Sequence, residues 1–502
     1  MRDEKKRTPH GVSATDGGKS ERASTTVEAG EPTRGTPPRK GARRATESLE
    51  GKAPELLAPM SVATKLERIA TRARERPQEV ITNVNHFIDV EWLREAYRRT
   101  RKDGASGVDG VIASEYAANL EENLVALHAR FRSRTYRAPP VRRVHIPKGD
   151  GSKTRPIGIP TFEDKVLQRA VAMFLEAVYE QQFRNCSYGF RPRRSQHDAL
   201  DALRGGLMTM KGGFVIELDI RSFFDSLGHE HLRRFLDLRV RDGVIRQAIG
   251  SWLKAGVFEK GLFEHTIEGT PQGGVVSPIL ANIFLHHVLD EWFEDEIAPL
   301  LARGAFLVRY ADDAVIVVDN EVDARRVMNV LPKRFGKYGL TLHSEKTRQV
   351  RFKRPVYGTE GKGRDDDDET PGTFSFLGFT HYWGKTRRGG HAIMRSTEGK
   401  RMRLKLKELS GWCKAARHWS LAEQHAEITK KLIGYDGYYG VPGNGRALST
   451  LRYWLERIWR YWLNRRSRER DMPWTRFQLL LERYPLPPPL TATRYRLAAA
   501  KP

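Results

Sequence analysis

Apolar and polar positions divide the chain into regions of different spacing. No Phe, Trp or Tyr occurs before Phe87, and the first sixty residues mix Ser, Thr, Gly and Pro with charges of both signs. Such a segment buries too little apolar area to offset its ordering entropy, so residues 1–60 are expected to be disordered. Helical spacing predicts elements over Met60–Arg76, Val90–Arg101 and Ser114–Phe131, and the Gly- and Asp-rich stretch Asp103–Gly110 predicts a loop between the last two. From Val141 short apolar runs are punctuated by Gly and Pro, and VRRVHIPKGDGSKTRPIGIP predicts a hairpin around the turn KGDGSK. Helix returns at Glu163–Tyr179, Phe214–Ile220 (FVIELDI) predicts a strand, and Phe306–Val318 (FLVRYADDAVIVV) predicts two strands about a tight turn. After Met394 the spacing is helical almost to the end, with a break at GYYGVPGNGR, Gly437–Arg446. Strands separated by helices predict a mixed α/β core followed by an α-helical region. The acidic, Gly-rich stretch Tyr357–Gly372, which includes Asp365–Glu369, reads as a solvated insertion without a catalytic role.

Composition narrows the class. The 502 residues carry 87 Lys+Arg against 62 Asp+Glu, a net charge of +25 that attracts polyanions, of which nucleic acid is the commonest in cells. From Arg401 onward there are 21 Lys+Arg and 8 Asp+Glu, and six of the ten tryptophans, whereas the first fifty residues hold 11 and 8. About half of the surplus therefore belongs to the C-terminal part, and little of it to the N-terminal tail. Two cysteines, Cys186 and Cys413, with no CxxC, exclude a disulfide framework and a cysteine-built zinc site. No apolar leader follows MRDEKKR and no run approaches membrane-spanning length, so a soluble, cytoplasmic protein is expected.

The sharpest chemical feature is Tyr310-Ala311-Asp312-Asp313 between two apolar, β-branched segments. Two carboxylates at a buried turn repel unless a cation neutralises them, and hard cations take carboxylate oxygen. Asp219, at the end of FVIELDI, is a second acidic strand end. Two-metal phosphoryl transfer needs carboxylates from adjacent strands, and Asp219, Asp312 and Asp313 supply such a set.

DIRSFFD and YADD together resemble the palm of reverse transcriptases. The ordered blocks IPKGDGSKTRPIGIPTFEDKVLQRAV from Ile146, SYGFRPRRSQHDAL from Ser187, GTPQGGVVSPILANIFL from Gly269, LHSEKTR from Leu342 and FSFLGF from Phe374 are similar to group II intron-encoded reverse transcriptase/maturases. LREAYRRTRKDGASGVDGV, from Leu93, resembles that family's N-terminal extension. The resemblance implies a right-hand polymerase: extension at residues 61–140, fingers at 141–218, palm with fingers elements at 219–395, helical thumb or maturase domain at 396–475 and a tail at 476–502. It implies two Mg²⁺ ions, replaceable by Mn²⁺, held by Asp219, the Ile220 carbonyl, Asp312 and Asp313. It places Lys148, Arg155, Gln272 and Lys346 around the nucleotide, and Phe224 under its sugar, where a ring would clash with a 2′-OH.

In Ala447–Arg468 the spacing puts Leu451, Leu455, Ile458 and Trp462 on one helical stripe, while Arg452, Arg457, Arg460, Arg465 and Arg466 emerge elsewhere. Guanidinium groups interleaved with Tyr and Trp suit phosphates and unpaired bases. The resemblance makes this the segment that grips intron RNA, with Arg98, Arg99, Arg101 and Lys102 contributing from the extension. The implied partners are group II intron RNA, an RNA template with a DNA primer, target DNA and dNTPs, with a homodimer and nucleoid association as further expectations. No endonuclease or RNase H domain is expected after the helical region. A splicing-only RNA chaperone and a domesticated reverse transcriptase in defence or repair are the rival readings.

Overall fold

The computed structural model describes residues 60–147, 154–259, 262–264, 273–355, 371–386, 388–466 and 472–489. The expected N-terminal disorder, the KGDGSK turn, the acidic run at Asp365–Glu369 and the last residues of the C-terminal tail lie outside them.

Eleven strands form three sheets among these residues: β1 Val141–Pro147, β2 Thr154–Ile159, β3 Phe214–Leu218, β4 Val257–Glu259, β5 Leu262–Glu264, β6 Ala305–Tyr310, β7 Asp313–Val318, β8 Arg348–Arg351, β9 Phe374–Phe376, β10 Phe379–Lys385 and β11 His391–Thr397. One sheet runs β2-β1-β4-β5, one β6-β7-β3-β8 and one β11-β10-β9. The hairpin expected from Val141 is β1–β2, with Ile146 opposite Arg155. β4 joins it in parallel at Val141 and Arg142, so a segment more than a hundred residues downstream completes that sheet.

β3, β6 and β7 are nearly continuous apolar runs because both faces of their sheet are covered. On one face lies the largest core, which includes Ile216, Ile316 and the helix Phe162–Tyr179. That helix is buried at 13 of its 18 positions and starts at Thr161, whose hydroxyl accepts from the Asp164 N–H. On the other face Val215, Val315 and Val317 pack against helix Gln196–Thr209, the third sheet and Val441. β3 therefore belongs to the sheet that carries Asp219. The boundary expected at residue 218 cuts that strand from its own aspartate.

The C-terminal helices Gly399–Ala415, Leu421–Tyr439, Gly445–Leu463 and Trp474–Arg483 form a separate core around Leu409, Ile428, Leu432 and Trp459. Leu421–Tyr439 begins with a capping box between Ser420 and Glu423. Cys186 and Cys413 are free and buried. No described helix is long and apolar enough to cross a membrane.

Candidate active site

β6 and β7 pair from Ala305↔Val318 to Tyr310↔Asp313, leaving Ala311 and Asp312 as a two-residue turn. Ala311 has φ +57°, a left-handed conformation that costs a residue with a Cβ about 1 kcal/mol. β3 pairs with β7 up to Leu218↔Ala314, so the next position brings Asp219 beside Asp313. The two acidic segments are thus joined by strand register. Beyond Asp219 the chain is tied to Leu342–Thr347: its carbonyl accepts from the His343 N–H at 2.8 Å, Arg221 N–H donates to the Thr341 carbonyl at 2.8 Å, and Ile220 bridges Leu342. Lys346 Nζ donates to Asp219 Oδ2 at 2.9 Å.

Proton affinity is raised at the turn. Burial pushes Asp312 upward; a backbone N–H and then Arg155 oppose this, and the charge on Asp219 adds to it. Asp313 is pushed up to about 6, first by the surrounding protein and then by repulsion from Asp312 and Asp219, against Arg401 and Lys346. Its carboxylate remains open to cleft water, so it is crowded by protein atoms without being sealed off. Three hard oxygen donors in mutual repulsion are a set that gains from a divalent cation, and their chemistry fits one.

The acids stand between two recesses. One, of about 720 Å³, is lined by Arg155, Asp219, Asp313, Lys346, Lys400 and Arg401. The other, of about 490 Å³, takes in Arg155, Phe190, Phe224, Gly273, Asp312 and Tyr438. Arg155, Phe224 and Lys346 are therefore brought to the three acids. Phe223 is the buried neighbour, 3% exposed, and Phe224 the ring that faces the recess. Lys148 and Gln272 lie outside the described residues. Gly273, next to Gln272, has φ +121°, and a Cβ there would meet the Gly158 carbonyl at 2.5 Å. Only glycine lets this loop lie on β2.

The basic residues expected on RNA divide sharply. Arg98 and Arg99 pair with Glu95 at 2.9 and 2.7 Å, and Arg101 pairs with Asp103. Lys102 donates to the Tyr97 and Thr100 carbonyls and covers the Tyr97 ring. These four cations are engaged within their own segment. Arg452 corrects the expectation outright: it is buried, paired with Asp436 at 2.5 Å, and also donates to the Leu448, Pro487 and Pro488 carbonyls. The buried stripe is Leu448, Leu451, Arg452, Leu455, Trp459 and Leu463. Trp459 is the fully buried tryptophan of this helix, whereas Trp462 and Ile458 only flank the core. Arg466 spends its donors on the Arg417 and Trp419 carbonyls. Arg457, Arg460 and Arg465 lie over aromatic rings, Arg457 3.3 Å from the Tyr453 centroid, Arg460 4.7 Å from Trp474 and Arg465 3.5 Å from Tyr461, and each also donates to one backbone carbonyl, of Tyr453, Met472 and Tyr461 respectively. Tyr453, Trp454, Tyr461 and Trp474 are all exposed.

Arg309 was passed over in the sequence although its signal was there: a lone charge inside an apolar strand, immediately before the acidic turn. It is completely buried.

Residues 146–381 match the reverse transcriptase (RNA-dependent DNA polymerase) family. The chain is 36% identical over 229 residues to the group II intron-encoded protein LtrA of Lactococcus lactis subsp. cremoris, covering 44% of this chain and 37% of that one. It is 38% identical over 251 residues to Protein YkfC of Escherichia coli (strain K12), covering 49% of this chain and 65% of that one. Nuclear intron maturase 2, mitochondrial, of Arabidopsis thaliana is 25% identical over 175 residues, 27% of this chain and 24% of that protein. The chain thus spans less than two thirds of the length of each of these relatives. Residues 146–381 are thus similar to reverse transcriptases, a family that generally uses divalent metal ions, and over part of the chain the sequence is similar to a group II intron-encoded protein.

Proposed function

We propose that this chain is an RNA-directed DNA polymerase that also binds the RNA of a group II intron, assists its splicing and copies it into DNA during retrohoming. The observation that carries the reading is the register that sets Asp219 beside the Asp312–Asp313 turn, with Arg155 and Phe224 facing the same recess. Asp219, Asp312, Asp313 and the Ile220 carbonyl would hold two Mg²⁺ ions, which would supply the Lewis acidity needed at a primer 3′-OH and at the departing pyrophosphate in nucleotidyl transfer.

The chain's own residues do the rest. Lys148 and Arg155 bind the triphosphate by charge-assisted hydrogen bonds. Gln272 lines the nucleotide pocket. Phe224 lies under the sugar and rejects a 2′-OH by contact. Lys346 moderates the charge on Asp219 through its 2.9 Å contact. RNA lies on the half-buried Arg457 and Arg460 and the exposed Arg465 with their rings, where a base can stack while the guanidinium reaches a phosphate.

Primer extension on an RNA template with Mg²⁺ and dNTPs tests this directly. Wild-type protein incorporates dNTPs and Asp312→Ala and Asp313→Ala do not. Absence of incorporation by wild type, with both variants behaving identically to it, defeats the polymerase reading and leaves an RNA-binding splicing factor.

A further inference from the structure

We infer that Arg309 is a positioning residue for the acidic turn: its buried guanidinium, anchored on Asp290, grips the Ala311 carbonyl and so fixes where Asp312 and Asp313 stand. The inference rests on the proposed role of that turn in holding divalent cations.

Every N–H of this guanidinium is used. Nε and Nη2 make a two-pronged contact with Asp290, at 2.7 Å to Oδ1 and 2.5 Å to Oδ2. Nη1 donates to Asn282 Oδ1 at 3.0 Å and to the Ala311 carbonyl at 2.9 Å, and Nη2 also donates to Ser187 Oγ at 2.8 Å. Both Arg309 and Asp290 have side chains with no solvent exposure. The Ala311 contact is therefore one branch of a network with no slack and no competing water. It acts on the one residue of the turn held at positive φ, where the backbone would otherwise relax.

The anchors come from three directions. Asp290 ends the π-helical turn His286–Asp290, and Glu291, which follows, is hydrogen-bonded to both His286 and His287, pinning that turn from its other side. Asn282 Nδ2 donates to the Gly189 carbonyl at 2.7 Å, and a Cβ on Gly189 would meet Ala311 N at 2.3 Å. The strand itself is tied to Cys186–Tyr188: Arg309 N–H donates to the Cys186 carbonyl at 2.7 Å, and its carbonyl accepts from Tyr188 N–H at 2.8 Å. Arg309 thus links a helix, a loop and the turn, with a fork geometry that lysine lacks.

A buried ion pair can often be exchanged for apolar residues without loss of fold. Arg309→Met combined with Asp290→Leu removes the grip on Ala311 and leaves no buried charge behind. Two measurements on the full chain decide the matter: the thermal unfolding midpoint, and Mn²⁺ affinity by electron paramagnetic resonance without nucleic acid. We expect an unfolding midpoint close to that of wild type, Mn²⁺ bound about tenfold more weakly, and primer extension lowered by about 10- to 100-fold, with a raised Mg²⁺ midpoint. A folded double variant with wild-type Mn²⁺ affinity overturns the inference and leaves the pair a merely structural one. Should the double variant fail to fold, Asn282→Ala keeps the ion pair and removes one anchor; weakened Mn²⁺ binding supports the inference and unchanged binding overturns it. The Mn²⁺ reading stands whether or not wild type extends a primer, so failure of the polymerase reading remains distinguishable from failure of the clamp.

Discussion

The acidic turn and the C-terminal arginine helix are both gatherings of like charge, and the fold handles them in opposite ways. At the turn, strand register forces Asp219, Asp312 and Asp313 together, and burial with mutual repulsion raises the proton affinity of the last two. On the helix Arg457, Arg460 and Arg465 are spread along a face that carries exposed rings, each laid over Tyr453, Trp474 or Tyr461. The first arrangement stores repulsion that a small, doubly charged ligand relieves; the second stores none and offers separate, adaptable contacts to a large one. A concentrated site of this kind suits chemistry, and a dispersed one suits grip.

The comparison breaks most visibly if single changes at the two sites have similar effects. Asp313→Asn should lower primer extension by a factor on the order of a thousand or more while RNA affinity stays at the wild-type level, measured on one preparation by extension and by filter binding. Arg452→Ala should instead destabilise the whole helical region by about 3 kcal/mol, because the buried Asp436 loses its guanidinium partner, and this should be seen in thermal unfolding. A loss of RNA affinity without a loss of stability would return Arg452 to the RNA face. Phe224→Ala should keep dNTP incorporation but relax the preference for dNTPs over rNTPs by about 10- to 100-fold in competition assays.

Smaller effects sharpen the contrast. Replacing Arg457, Arg460 and Arg465 together by alanine should weaken RNA binding and reduce the slope of log affinity against log salt by about one for each lost phosphate contact. Extension at saturating template should change little. The smallest effect is in pH. A carboxyl whose proton affinity is raised on folding makes the folded state less stable as pH rises from its ordinary value toward the raised one. Without divalent cations, the stability gain of Asp313→Asn over wild type should therefore be near zero at pH 4 and grow toward pH 6. Cleft water screens that charge, so the gain should stay at about 1 kcal/mol or less.

How much of this is legible in the sequence depends on how local the determinant is. The YADD turn is local: β-branched flanks, a two-residue gap and adjacent acids, and the structure forms it at those positions. The neighbours that make Arg452 a core residue, Asp436 and the Pro487–Pro488 carbonyls, come from other segments, and its charge, not its spacing four residues after Leu448 and three before Leu455, sets it among the surface arginines. Trp459 and Trp462 likewise differ in burial because they meet different neighbouring helices: Gln424 takes the Trp459 indole, Ser410 that of Trp462. For Arg98, Arg99 and Arg101 the acids they pair with stand in the same stretch, at Glu95 and Asp103, and the three arginines are exposed. The widening of the helix at His286–Asp290 leaves no sequence signature, because a π turn inserts one residue into an otherwise ordinary periodic pattern.

The most direct measurement is a crossed pair of assays on three proteins: wild type, Asp312→Asn with Asp313→Asn, and the triple alanine variant of Arg457, Arg460 and Arg465. Primer extension on RNA and salt-dependent binding of structured RNA are read for each. The account predicts that the aspartate variant binds RNA with the wild-type salt slope and extends nothing, while the arginine variant binds with a shallower slope and still extends at saturating template. Loss of both properties in both variants, or retention of extension by the aspartate variant, would contradict it.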